Sequence, residues 1–434
     1  MYAWVLDNPL NRDVNKQICG QKCYIHTSVM KRILYILMLV MTVQVLLAQE
    51  RCMTMRESEV EMANDTVYAR GVMKLQQLAE AFAAGDSAVD RNDWPFPTLT
   101  VPIVVHVLYR TEQQNISMEQ IHSQIEVLNR DFAGLNADLN KVPEPFRRLA
   151  GVSNIQFQLA DRDPDGRFTN GVTRTKTAVE NIGSQSIYHR PERGGVAPWP
   201  QPHYLNVWVC ELEGDALGFA ILPGAQISER DGIVMSPTAF GTIGTTNPPY
   251  DQGRTFVHEV GHYFGLRHLW GSDDASCNST DYVSDTPVQL KENFGCKNFP
   301  SFSCSNEEFG DMFMNYMDYG NDTCMLFFTQ QQVALMHLVL MKNRKTLFHS
   351  AGVTGTPTVS NERQLHVYPN PSSSEVFIEF GSTALGWVEV VDMKGILVHR
   401  SYHEGQRAKL TLDELAPGLY FVRTTFGVSR LSML

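Results

Sequence analysis

A chain of 434 residues with 43% hydrophobic, 10% aromatic and 19% charged side chains has room for roughly three folded units at about 150 residues each, and this balance excludes disordered, collagen-like and coiled-coil proteins. Its 36 Lys and Arg against 47 Asp and Glu leave a formal charge of −11. No positive field draws phosphate backbones or anionic lipid, so no nucleic-acid partner is expected.

Taken in chain order, Lys31-Arg32 precede an apolar run from Ile33 to Leu47, broken by Thr42 and Gln44 and followed by Ala48-Gln49-Glu50. That is the order of a secretory signal peptide, assigned to 30–48, and the run is shorter than the ~20 apolar residues a membrane span needs. No permanent membrane span is expected, and the protein should be secreted or held at the cell surface. Residues 1–29 ahead of Met30 read as a non-native upstream extension. Export lets the eight cysteines oxidise. Cys19 and Cys23 precede the signal, Cys52 follows it, and Cys210 sits in an apolar run as a buried free thiol. Cys277, Cys296, Cys304 and Cys324 cluster and suggest two disulfides, with three pairings open.

Residues 49–90 are polar, with one helical stretch near Val72 to Ala84 and little apolar surface, and read as a pro-segment. A buried strand from Leu99 to Tyr109 opens the folded domain, assigned to 91–349. Ser117 and Gln120 form a capping box before a helix carrying Ile121, Ile125, Leu128 and Phe132 on one face. Strands follow at Ile155–Leu159, Leu205–Val209 and around Ile233, giving a mixed sheet with helices. A second capping box, Thr329 with Gln332, starts a helix through Val333, Met336, Leu340 and Met341 that closes the domain near Phe348. Residues 350–362 are a Gly/Thr/Ser/Pro linker, and 363–434 carry short turn-punctuated strands that predict a small antiparallel sandwich. The fold class is α+β followed by an all-β module.

The chemistry concentrates in Arg254-Thr-Phe-Val-His258-Glu259-Val-Gly-His262-Tyr-Phe-Gly265-Leu-Arg-His268. On a helix, residues four apart share a face, so His258 and His262 can hold one cation between them. Glu259 projects at an adjacent angle, where its carboxylate can take a proton from water beside the metal. Gly265 lets the backbone turn out of the helix so that His268 returns as third ligand. Five positions serving one geometric purpose predict a single catalytic zinc and an endopeptidase acting on proteins or peptides.

This motif, with Leu205-Asn-Val-Trp-Val-Cys210, Asp281-Tyr-Val-Ser-Asp-Thr-Pro287 and Asn315-Tyr-Met-Asp-Tyr319, resembles the metzincin metallopeptidases and among them the pappalysin family, over Val101 to about Phe348. The resemblance implies a twisted mixed sheet with a backing helix, an active-site helix, a zinc cleft and a Met-turn, with Met317 beneath the metal and Tyr319 supporting the tetrahedral intermediate. It implies disulfides Cys277–Cys304 and Cys296–Cys324, and a structural calcium ion at Asp281, the Val283 carbonyl and Thr286. It places substrate on the edge strand Leu217–Ala220, at Gly218, and makes Asp322 the base of a pocket selecting Arg or Lys at P1′. A matching self-cleavage site lies before Arg91, with Arg70 as second candidate. Glu50-Arg-Cys-Met-Thr54 resembles the family's Arg-x-Cys-Gly-Thr pro-segment, so Cys52 would occupy the fourth zinc position and enforce latency. Met53 stands where glycine is usual, and an aspartate of the pro-segment is the alternative. Tyr368-Pro-Asn-Pro371, Asp392-Met-Lys-Gly395 and Leu415-Ala-Pro-Gly-Leu-Tyr420 resemble the C-terminal sorting domain of type IX secretion, which implies the secretion machinery as partner. The rival reading is a surface adhesin or binding protein that keeps the fold without the activity.

Overall fold

The computed structural model describes residues 51–85, 98–224, 228–271, 276–305, 308–350, 352–353, 365–379, 386–392, 397–403, 407–424 and 427–434. The signal peptide, Arg91 and most of the linker lie outside them.

Two helices come first, α1 (Thr54–Asn64) and α2 (Thr66–Ala83). Asp65 caps α2 by accepting from Val67 N at 2.7 Å and Tyr68 N at 3.1 Å, which relieves two of its orphan donors. The expectation of little apolar surface here is corrected: Tyr68, Val72, Leu75, Ala79 and Phe82 recur every three or four residues and are all buried. This stripe packs onto the catalytic core, and polar residues between its members hide it in the sequence.

The main sheet is built on β1 (Leu99–Tyr109). The first half of β1 pairs with β2 (Ile155–Leu159), its second half with β3 (Val172–Lys176), and its other edge with β4 (Leu205–Val209), all parallel. β6 (Ile233–Met235) continues the parallel order, and β5 (Gly218–Ala220) closes the edge antiparallel to β6. β1 and β4 are buried almost throughout, as a sheet covered on both faces requires. β3, Val-Thr-Arg-Thr-Lys, has a single apolar residue and half-exposed faces, so no hydrophobic pattern marks it.

Helix α3 (Met118–Phe132) backs the sheet against β2 and the active-site helix α4 (Arg254–Tyr263). Ser117 Oγ caps α3 by accepting from Gln120 N at 3.2 Å. The predicted return half of that box is absent, because Gln120 Oε1 instead accepts from Thr245 N at 3.1 Å, while Nε2 donates to Pro237 O at 3.1 Å and Phe240 O at 2.9 Å. Helix α5 (Gln330–Asn343) has the complete Thr329/Gln332 box.

The start of α4 is locked electrostatically. Arg254 Nε meets Asp131 at 3.1 Å, and Nη1 and Nη2 each meet Asp138 at 2.7 Å. Arg254 and Asp131 are buried, so removing the guanidinium leaves the Asp131 carboxylate only the half-exposed Arg130, at 2.8 Å, as counter-charge. Arg254→Met should lower unfolding stability by about 3 kcal/mol, measured as the shift in chemical denaturation.

In the C-terminal part, β7 (His366–Tyr368), β8 (Glu375–Glu379) and β11 (Arg407–Thr411) form one antiparallel sheet. β9 (Gly386–Asp392), β10 (Leu397–His403), β12 (Gly418–Thr424) and β13 (Gly427–Met433) form another. Val376, Ile378 and Leu410 from the first sheet share one core with Val388, Val390, Val422 and Leu431 from the second, which is the predicted sandwich plus the strand β13. Among the described residues no helix is long and apolar enough to cross a membrane.

Candidate active site

The site is assembled around the end of α4. His258 and His262 face one way from successive turns. At Gly265 the backbone takes φ +90°, a conformation that favours glycine, and a β-carbon there would come within 3.0 Å of Val339 Cγ2. The chain folds back, and His268 Nε2 lies 3.0 Å from His262 Nε2, which is 3.1 Å from His258 Nε2. His258 Nδ1 donates to Tyr316 O at 2.6 Å and His262 Nδ1 to Leu266 O at 2.8 Å. These bonds hold the proton on Nδ1 and leave the Nε2 lone pairs facing one another. His268 stacks on Trp270, centroids 4.3 Å apart.

Cys52 Sγ joins the three imidazoles in a buried group whose donor atoms all lie within 4.8 Å of one another. Burial pushes His258 down to about 4, and drives His262 and His268 well below the usual imidazole range. Neutral lone pairs converging this closely repel unless a cation accepts them. Three nitrogens and one sulfur are the donor set of tetrahedral zinc, so the residues fit that ion. Burial, then the Glu259 carboxylate, pushes the Cys52 thiol far up, and a coordinating cation reverses that by binding the thiolate.

Glu259 is fully buried, and burial pushes it up to about 8. Its Oε2 accepts from Thr54 Oγ1 at 3.0 Å and lies 3.5 Å from Cys52 Sγ, while Oε1 has no hydrogen-bond partner among the described residues. Residues 51–54 lie along the edge of β5 as an added strand. Leu217 N donates to Arg51 O at 2.8 Å, Met53 N to Gly218 O at 3.1 Å, and Ala220 N to Thr54 Oγ1 at 2.8 Å. A β-carbon at Gly218 would meet Met235 Sδ at 2.7 Å and Glu259 Cγ at 3.3 Å, so glycine lets β5 lie this close to the neighbouring strand and to the carboxylate. Met53 has φ −92°, so its backbone has no need of glycine, and its side chain is buried with Tyr68, Tyr188 and Phe219.

Below the cleft, Met317 Sδ would sit 2.5 Å from a β-carbon at Gly261, so this methionine packs directly under the ligand helix. Asn315 Oδ1 fixes the turn by accepting from Met317 N at 2.9 Å. The Tyr319 hydroxyl donates to Cys52 O at 3.2 Å, with its ring 4.9 Å from that of His268. Asp322 is buried. Its Oδ2 accepts from Gln252 N at 2.8 Å and Arg254 N at 3.2 Å, while Oδ1 has no hydrogen-bond partner among the described residues. Burial pushes Asp322 up to about 6.

Asp281 is buried and pushed up to about 8 by that burial. Thr286 Oγ1 stands 2.9 Å from both Asp281 carboxylate oxygens and 2.9 Å from Val283 O, so hard oxygen donors converge. Disulfides join Cys277 to Cys304 and Cys296 to Cys324, while Cys210 is a buried free thiol. Arg70 is exposed but in the middle of α2, where an extended scissile segment cannot form without unwinding, and Arg91 lies outside the described residues.

Four contributors went unnoticed in the sequence: Thr54 on Glu259, Trp270 stacked on His268, and Tyr250 and Phe294, whose ring centres each lie 4.7 Å from Arg51 Cζ. Thr54 alone had a signal, as the last residue of the pro-segment match. The others come from loops whose proximity only the fold creates.

Comparison with known proteins agrees with this geometry. Residues 196–341 match the family model described as pregnancy-associated plasma protein-A, peptidase M43, and residues 366–432 match the secretion system C-terminal sorting domain. An extracellular metalloprotease of Arthroderma otae is 30% identical over 267 residues, covering 60% of this chain and 83% of that protein. Mature mirolysin of Tannerella forsythia, solved with a cleaved peptide, is 44% identical with a TM-score of 0.55, covering 58% of this chain and 96% of that one. A promirolysin variant of the same organism is 42% identical with a TM-score of 0.58, covering 64% and 92%.

Proposed function

Since this chain belongs to the pregnancy-associated plasma protein-A (M43, pappalysin) family and is a secreted zinc metalloendopeptidase with a metzincin fold and a type IX sorting domain, we propose that Glu259 is its general base and that it cleaves before Arg or Lys. His258, His262 and His268 hold the zinc. When bound, that ion supplies a Lewis acid that polarises the scissile carbonyl and makes water acidic. Glu259 then takes the proton from water through the carboxylate oxygen left unpartnered in the buried cleft, and returns it to the leaving amine. Tyr319 donates its hydroxyl hydrogen to the developing oxyanion, in place of the Cys52 carbonyl it now holds. Met317 supports the ligand helix from beneath, and Gly218 lets the substrate backbone lie against β5 as residues 51–54 do. The convergence of three imidazole nitrogens beside a buried carboxylate carries this reading.

Asp322, with a buried oxygen lacking a partner, supplies the charge that makes a basic P1′ side chain favourable and leaves neutral ones uncompensated. Cys52 enforces latency as fourth zinc donor, and cleavage before Arg91 separates the 49–90 pro-segment from the 91–349 catalytic domain. The sandwich at 363–434, behind the 350–362 linker, addresses the chain to the secretion machinery, and residues 30–48 are a cleavable signal. Mass spectrometry of a denatured protein mixture treated with processed enzyme tests the specificity. New N-termini beginning with Arg or Lys are expected, and cleavage without that preference would remove Asp322 as its determinant.

A calcium ion at Asp281, Val283 and Thr286 would replace the proton that burial forces on Asp281. Calcium at about 100-fold above its Kd then adds about 2.7 kcal/mol of stability. Differential scanning calorimetry should show a higher melting temperature with calcium, and Asp281→Asn should abolish the response.

A further inference from the structure

The Arg51 guanidinium is held between two aromatic rings, with Cζ 4.7 Å from the centre of Tyr250 and 4.7 Å from that of Phe294. Its Nη1 donates to Tyr319 O at 2.8 Å, and Asp215 adds a favourable field. Both rings belong to the catalytic domain and stay when the pro-segment leaves. Tyr250 belongs to the loop wrapped around Asp322, since Asp322 N donates to Pro249 O at 3.1 Å and Gln252 N returns to Asp322 Oδ2 at 2.8 Å. The Tyr250 phenol feels the charges of both Arg51 and Asp322. Phe294 is fixed between Asn293, whose N donates to Asp318 Oδ1 at 2.8 Å, and Gly295, whose O accepts from Asn321 N at 3.1 Å. Arg51, Tyr250, Thr255 and Met325 line one cavity with His258 and Glu259.

The geometry points to Tyr250 and Phe294 as an aromatic clamp that selects a substrate guanidinium over an ammonium, with Arg51 as its stand-in in the latent chain. A planar, weakly hydrated guanidinium stacks on both rings at once, whereas a lysine ammonium is a strongly hydrated point charge with no face to stack. The clamp thus grades Arg above Lys in the cavity that Tyr250 lines with His258 and Glu259, beside the loop wrapped around Asp322. This rests on the reading that the pocket takes a basic side chain.

The test uses the processed, zinc-loaded enzyme and three peptides that differ only in carrying Arg, Lys or norleucine after the scissile bond. Wild type should prefer Arg to Lys in kcat/KM by about tenfold. Tyr250→Leu combined with Phe294→Leu should bring that ratio near one, Tyr250→Phe should keep it, and Asp322→Asn should lower both basic peptides towards norleucine. An unchanged Arg-to-Lys ratio in the double variant, with Asp322→Asn still lowering both, would overturn the clamp alone. A wild type that favours neither Arg nor Lys over norleucine would overturn the basic pocket and the clamp with it. Should the double variant fail to fold, Arg51→Lys in the latent chain leaves the catalytic domain untouched. Faster self-processing than wild type supports the clamp, and an unchanged rate overturns it.

Discussion

Glu259→Ala is expected to slow peptide hydrolysis by the processed enzyme about 10⁴-fold while leaving one zinc bound per chain. A positioned acid or base contributes about 10²- to 10⁴-fold, and the upper end applies here because one carboxylate serves both proton transfers. The ligands should survive the change, because their orientation comes from elsewhere: His258 is set by Tyr316 O and His262 by Leu266 O. Glu259 touches Thr54 and Cys52, both in the stretch laid along β5. Metal analysis beside the rate separates the two outcomes, and loss of zinc together with activity would mean that Glu259 supports the ligand shell instead of the chemistry.

The second large effect is on latency. Cys52→Ala should raise the activity of the uncleaved chain by roughly 10²-fold, which corresponds to about 2.7 kcal/mol less hold on the inhibited state. Besides the Cys52 sulfur at the ligand cluster, residues 51–54 are kept in the cleft by the Thr54 hydroxyl bridging Glu259 and Ala220, the backbone pairing with β5, the Tyr319 hydroxyl on Cys52 O, and the Arg51 guanidinium on Tyr319 O and two rings. Removing the sulfur leaves the others, so the gain stays below full release. The initial rate on a fluorogenic peptide, read before processed chain accumulates, measures it. If Thr54→Val activates the chain and Cys52→Ala does not, occupation of the base and not of the metal enforces latency.

The parts of this molecule legible in its sequence are those where local rules and global fold agree. The strand at Leu99–Tyr109, the helix from Met118 and the capping box at Thr329 all carry their own periodicity or cap chemistry. The convergence of three imidazoles was legible because a helix converts the spacing of His258 and His262 directly into distance, and Gly265 signals the turn that brings His268 back. Elements whose order comes from tertiary contact were not. β3 holds its place by pairing with β1 and carries almost no hydrophobic signal. The Gln120 side chain abandons its capping partner for three acceptors more than a hundred residues away. Helices α1 and α2 read as polar because their apolar stripe is narrow, yet Leu75 reaches Gly265 at the point where the active-site helix ends. Tyr250 and Phe294 meet only around Arg51, a coincidence of three loops that no local pattern encodes.

The most direct test of the central claim is hydrolysis of a single peptide with arginine after its scissile bond, measured for the processed chain with zinc, for the same chain stripped by a chelator, and for Glu259→Ala with zinc. Turnover is expected in the first, none in the second with recovery on adding zinc back, and about 10⁴-fold loss in the third with zinc content unchanged. A processed, zinc-loaded wild type that cuts neither this peptide nor a denatured protein would contradict it and leave a surface adhesin on the same fold as the better reading.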